Sequence, residues 1–237
     1  MTEVFVSITI SIATLGFLIW FWLSSSLNLP VRFQIMYDSN PPYVLRILSR
    51  RILAIIIFGL LPFCLIKCTN WMGRPDLSSI GVSFDWNNRV LLWLAILVPA
   101  IIIFHFFTAA KTSNLEQFPL IRVRFWRPHI IFWSAFWWIL SLIAYEFFYR
   151  GLLLESLRDL TGHDQLAILM SAGLYALTHY FKRNRSSVVA VIYGVLACII
   201  VIDCGSILPV IIIQIVNALS NEWLSIYFHP EMHARNT

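Results

Sequence analysis

Glu146 and Arg150 stand four residues apart in the run Tyr145-Glu146-Phe147-Phe148-Tyr149-Arg150-Gly151, and their surroundings are almost entirely apolar. A carboxylate and a guanidinium at i and i+4 share one helix face, so each lowers the cost of placing the other in a dry environment. An ionisable residue at membrane depth is expensive and points to function by default. The pair reads equally well as an internal ion pair that fixes how its helix packs. Three further polar side chains interrupt apolar runs downstream. His179 follows Tyr175 by four residues, and an imidazole near a helix end is more often packed or snorkelling than catalytic. Gln214 and Asn217 are spaced i, i+3, and amides in membrane bundles commonly hydrogen-bond between helices. Asn221 and Glu222 lie nearer the end of the same run and are expected to be solvated.

These groups do chemistry only if the helices carrying them bring them to one level. The midpoint between positions 146 and 179 falls at Gly162-His163, inside the polar turn from Arg158 to Asp164. Helices running to that turn from both sides are antiparallel neighbours, with Glu146 and His179 equally far from it. About sixteen residues at 1.5 Å each put both roughly 24 Å from the turn. Asn217 lies about twelve residues, or about 18 Å, beyond Gly205 at the start of its own run. That depth is compatible with the same level. The spacing therefore predicts a polar cluster between the apolar runs that carry Glu146, His179 and Asn217. His105 is expected to have a packing role. Asp203, at the end of a run, is expected to be solvated.

The runs themselves exclude a soluble protein. Of 237 residues, 59% are hydrophobic and 12% charged, against about 25% charged in a soluble domain. A bilayer core needs roughly 20 apolar residues in a helix. Seven stretches reach or approach that length, at about 4–23, 52–68, 89–109, 129–157, 165–181, 188–203 and 206–228. The expected fold is an all-α polytopic transmembrane helix bundle of about seven spans. It divides into three N-terminal spans (1–128), a core of four spans (129–228) and a polar, disordered tail (229–237). The N-terminus lacks a basic n-region and a small-residue cleavage site, so the first span is expected to be retained. Cys64, Cys68 and Cys198 lie within runs and Cys204 at the end of one, with no metal or disulfide spacing.

Charge sets the expected orientation. Arg32, Arg46, Arg50 and Arg51, then Lys111, Arg122, Arg124 and Arg127, then Lys182, Arg183, Arg185 and the tail residue Arg235 fall on one side of a seven-span chain. They are twelve of the seventeen Lys and Arg. The positive-inside rule makes that side cytoplasmic, with the N-terminus outside and the C-terminus inside. The location is thus an integral, multi-pass position, in the cytoplasmic membrane if the source is bacterial. The net charge of +5 points to lipid headgroups and not to nucleic acid. Residues 43–51 read as a basic juxtamembrane anchor.

Three motifs in order resemble those of the CPBP family of intramembrane proteases, also called the Abi or CAAX-protease family. Tyr145-Glu146-x-x-x-Arg150-Gly151 is similar to its Glu-Glu-x-x-x-Arg-Gly signature. Tyr175-Ala-Leu-Thr-His179 is similar to Phe-x-x-x-His. Gly205-Ser206-Ile207-Leu208-Pro209, followed by Gln214 and Asn217, is similar to the third, which has His-x-x-x-Asn or His-x-x-x-Asp in a span opening with Gly-Ser-Ile-x-Pro. The resemblance covers about 130–225. Tyr145 replaces the first Glu of the pair, and the third-motif His is absent, with Ile213 or Gln214 in its place.

The resemblance implies an intramembrane endopeptidase acting on membrane-held peptides or lipidated proteins. In the family the first Glu, here Tyr145, is the base that activates water; with a single Glu left, Glu146 is expected to carry that role itself. His179 positions the water or protonates the leaving amine, and Asn217, with Gln214, donates to the oxyanion. No cofactor is expected. A zinc site is the weaker idea, because metal catalysis usually needs three protein ligands and Glu146 and His179 supply two. The alternative is a non-catalytic member that binds a peptide or protein partner, favoured by the missing Glu and His. A transporter or channel is a third class; the chain has no inverted repeat to suggest it.

Overall fold

A computed structural model describes residues 3–26, 41–71, 83–115, 118–121, 126–177 and 184–229. The described residues form helices and no β-strand. In chain order they are α1 (Glu3–Ser26), α2 (Pro41–Ile55), α3 (Leu61–Trp71), α4 (Asn88–Ala109), the short α5 (Thr112–Leu115), α6 (Pro128–Glu146), α7 (Leu154–Thr161), α8 (Asp164–Leu177), α9 (Asn184–Cys204) and α10 (Leu208–Phe228). Four helical stretches are long and apolar enough to cross a membrane: Ile47–Lys67, Asn88–Ala109, Pro128–Thr161 and Leu208–Phe228. Val6–Ile19, Asp164–Leu177 and Val189–Cys204 are shorter apolar helices. Within the described residues each of the seven apolar runs is thus helical, in an all-α polytopic bundle. Large apolar side chains such as Leu91, Phe104, Phe107 and Leu169 face outward. In water these would be a liability; in lipid they are the solvent-facing surface.

Two helices depart from the uniform runs expected. A π-helical turn, Ile56–Leu60, joins α2 to α3, and a longer one, Phe147–Leu153, joins α6 to α7. The two lie side by side. Phe58 stacks on Tyr145 at 4.8 Å and meets Phe148 and Tyr149 at 5.5 and 5.6 Å. Gly59 permits this approach, since a Cβ there would lie 3.1 Å from that of Ala144. From Phe148 to Leu153 every side chain is buried, so the π-helical turn is enclosed on all sides. Single π-helical turns inside longer helices occur frequently at functional sites.

In the segment 43–51, read as a basic juxtamembrane anchor, Arg51 faces protein and not lipid headgroups. The segment belongs to α2, which is continuous with the span, and Arg51 is buried against α6. Asp203 keeps the solvent exposure expected of it and also gains partners. It pairs with Arg89, and the Trp93 indole donates to it at 3.0 Å. Asn87 caps α4 by accepting from the Val90 N–H at 3.0 Å, while its amide donates to the Cys204 carbonyl at 2.8 Å. Gly205, in the left-handed region at φ +62°, turns the chain from α9 into α10. These contacts tie one end of α4 to the α9–α10 turn. The tail from residue 230 on lies outside the described residues.

Candidate active site

The hairpin of α7 and α8 sets the register of the site. Gly162, at φ +67°, ends α7 in the left-handed conformation that glycine adopts without a Cβ penalty. Arg158 then ties the two helices, donating to Glu155 at 2.6 Å on its own helix and to Asp164 at 2.8 Å on α8. The turn therefore falls where the spacing placed it. Positions 150 and 175 have the same midpoint as 146 and 179, and they meet: the Arg150 guanidinium lies 4.0 Å above the Tyr175 ring. One turn further on, the Ser171 hydroxyl donates to the Tyr149 carbonyl at 3.0 Å. His179 itself lies outside the described residues.

Around Arg150 the helices supply ring faces. Tyr175 is the nearest, Tyr193 on α9 lies at 5.8 Å and Tyr149 at 6.0 Å. Arg150 Nε is 3.4 Å from Glu146 Oε2, and both side chains are 0% exposed. Neither Glu146 oxygen and no Arg150 nitrogen closes a hydrogen bond within the protein. Dehydrating two charges costs several kcal/mol per ion, and their attraction repays it only with good geometry and satisfied partners. Here aromatic faces take the place of acceptors around the cation, a contact worth about 2 kcal/mol when desolvated. Buried polar groups left without partners are uncommon in folded proteins. Their concentration on one pair marks these atoms as available to something else.

The third motif divides. The Gln214 amide donates to the Tyr175 hydroxyl at 3.2 Å, while Gln214 Oε1 is buried without a partner. Glu146, Arg150, Tyr175 and Gln214 thus form one connected cluster from the helices that carry the three motifs. Asn217 takes a different direction. His105 Nε2 on α4 donates to Asn217 Oδ1 at 2.9 Å, and His105 is buried. The expected packing role for His105 missed this partner. The available signal was the imidazole itself, a costly group inside an apolar run. Tyr145, at the position of the family's first Glu, is taken up in the ring stack on Phe58.

Asn221 and Glu222 are buried, contrary to the solvated placement expected for them. Asn114 donates to Asn221 at 3.0 Å and to Ser225 at 2.7 Å. Glu222 Oε1 accepts from the Ser134 hydroxyl at 2.9 Å; Arg51 Nη1 donates to the Ser134 carbonyl at 2.7 Å and to its hydroxyl at 3.2 Å. The Arg51 guanidinium lies 4.7 Å over Trp138. The reason is tertiary: α2, α6 and α10 converge there, and the end of an apolar run is covered by protein instead of water.

Residues 127–220 match the family model described as Rce1-like, type II CAAX prenyl endopeptidase Rce1-like. The match contains all three motifs and supports membership of the CPBP/CAAX-protease family. It leaves Arg51, His105 and Glu222 outside its limits. No curated protein and no solved structure matches the chain.

Proposed function

We propose that this protein is an intramembrane endopeptidase of the CAAX-protease type, in which Glu146 activates a water for attack on a peptide carbonyl. The observation that carries the reading is the union of Glu146, Arg150, Tyr175 and Gln214, one or more residues from each motif, around buried atoms that have no partner. A dry, preorganised carboxylate is suited to take a proton from water in the transition state. Arg150 holds it in place from the next turn. Gln214 and Asn217 carry the amide donors for the oxyanion, and His179 the imidazole that assists the leaving amine. No cofactor enters this scheme. The substrate class is a peptide or lipidated protein held at the membrane, in keeping with the family's prenyl endopeptidase description. The orientation proposed has the N-terminus outside and the C-terminus inside, in a cytoplasmic membrane if the source is bacterial.

Glu146 is fully enclosed in this conformation, so water and substrate reach it only when neighbouring helices move. The competing reading is a non-catalytic, partner-binding member of the same family. Its specific support is Tyr145, whose ring packs on Phe58 in place of a second carboxylate.

Purified protein in detergent, offered quenched fluorescent peptides with and without a prenyl group, separates the two. Glu146→Gln is expected to reduce cleavage by about 10²- to 10⁴-fold, with His179→Ala also impaired and the wild type active in a strong chelator. Cleavage equal in all three proteins, or none with any lipidated substrate, overturns the protease in favour of the binding protein. Activity lost to the chelator and restored by zinc would instead reinstate the metal site.

A further inference from the structure

Tyr193 belongs to none of the three motifs, yet it stands at the same cluster. It is carried by α9, which approaches α8 closely because residue 194 is glycine. A Cβ at Gly194 would lie 3.1 Å from the Ala172 Cβ and 3.2 Å from its Cα. The Tyr193 ring is partly exposed, whereas its hydroxyl is buried. The side chain therefore reaches inward from the edge of the bundle. Its ring lies 6.1 Å from that of Tyr175 and 5.8 Å from the Arg150 guanidinium. The hydroxyl lies beside the Glu146 carboxylate without closing a hydrogen bond to it.

A phenol has one proton to donate and lone pairs to accept with. Of its two charged neighbours, Arg150 only donates, so the phenolic proton has one charged acceptor, Glu146. Tyr145 is stacked on Phe58, and the Tyr175 hydroxyl, also near Glu146, is engaged as the acceptor of the Gln214 amide.

We propose that Tyr193 is the positioning residue of Glu146: its hydroxyl donates to one carboxylate oxygen and leaves the other to take the proton of the attacking water. This rests on the proteolytic reading above. In the step itself, the water oxygen bonds to the peptide carbonyl carbon. One water proton passes to the free oxygen of Glu146, and the carbonyl π pair becomes the oxyanion. Collapse of the oxyanion breaks the C–N bond, and Glu146 returns that proton to the leaving amine. Tyr193 gains and loses nothing; it restricts which oxygen acts.

Tyr193→Phe keeps the ring beside Tyr175 and Arg150 and deletes only the hydroxyl. Two readouts test it. In infrared difference spectra of reconstituted protein, the carboxyl bands assigned to Glu146 by their loss in Glu146→Gln are expected to shift in Tyr193→Phe. In cleavage kinetics, kcat is expected to fall about 10- to 100-fold with KM and Tm unchanged, which a purely packing role would not produce. Unshifted bands overturn the contact, and an unchanged kcat overturns its use in catalysis. If the wild type cleaves nothing, the proteolytic reading fails and this positioning role falls with it; the bands then report only whether the contact exists.

Discussion

The Glu146–Arg150 pair and the Arg51–Ser134–Glu222 network are both withdrawn from solvent, but they are held in different ways. The first sits within one helix, on a π-helical turn, with its charges 3.4 Å apart and no hydrogen bond closed on either. The second joins three helices, and each of its charged side chains closes at least one hydrogen bond through Ser134. A network that is tied from several elements fixes the relative placement of those elements. Arg51 Nε and Nη2 and Glu222 Oε2 also lack partners, but a pair with no closed bond at all is stabilised less and has more capacity for an incoming group. The difference distinguishes a clamp from the site proposed above to be reactive, although both hold an arginine and a glutamate.

The contrast can be broken most directly by exchanging charge for amide at both places. Glu146→Gln is expected to remove cleavage by about 10²- to 10⁴-fold, and Glu222→Gln to leave kcat within roughly tenfold of wild type, the allowance for a remote displacement. A comparable loss of kcat from both would erase the distinction. Stability is expected to respond in the opposite order. Leaving Arg51 without its counter-charge costs about 3–5 kcal/mol, read by unfolding in mixed micelles. Glu146→Gln costs less, because that carboxylate closes no hydrogen bond for the substitution to break. The paired change Arg51→Met with Glu222→Leu recovers most of the loss, since a buried ion pair replaced by apolar groups is often neutral.

Smaller changes sharpen the comparison. His105→Phe leaves Asn217 Oδ1 without its donor and is expected to cost about 1–3 kcal/mol of stability. An unchanged unfolding midpoint would show that Asn217 finds another donor. Gly194→Ala is the least disruptive by stability, within about 1 kcal/mol, because helix propensity gained offsets crowding against Ala172. Its effect on kcat is expected to exceed its effect on stability, since it moves α9 and Tyr193 with it. Equal, small effects on both would mean the cluster tolerates that displacement.

Much of this architecture is legible in the residues alone. Long apolar runs specify the helices, and Gly162 between two such runs specifies a hairpin. The common midpoint of 146 with 179 and of 150 with 175 specifies its register, which the Arg150–Tyr175 contact displays. What was not legible depends on three or more helices meeting. Glu222 lies at the end of a run, where water is the default partner, and only the convergence of α2 and α6 covers it. His105 and Tyr193 interrupt apolar helices without a spacing that names their partners. The π-helical turns carry no pattern that distinguishes them from α-helix beyond a glycine in each.

The symmetric hairpin has an evolutionary corollary. Because Arg150 and Tyr175 meet across the turn at Gly162, one residue inserted into α7 rotates everything before it by about 100° relative to α8 and shifts it by about 1.5 Å. Arg150 would then leave Tyr175. Length variants of this segment can keep the cluster only when a change on one side of the turn is matched on the other. Among homologous chains, the distance from the Glu to the turn and from the turn to the His should therefore drift together, even where the turn itself changes length.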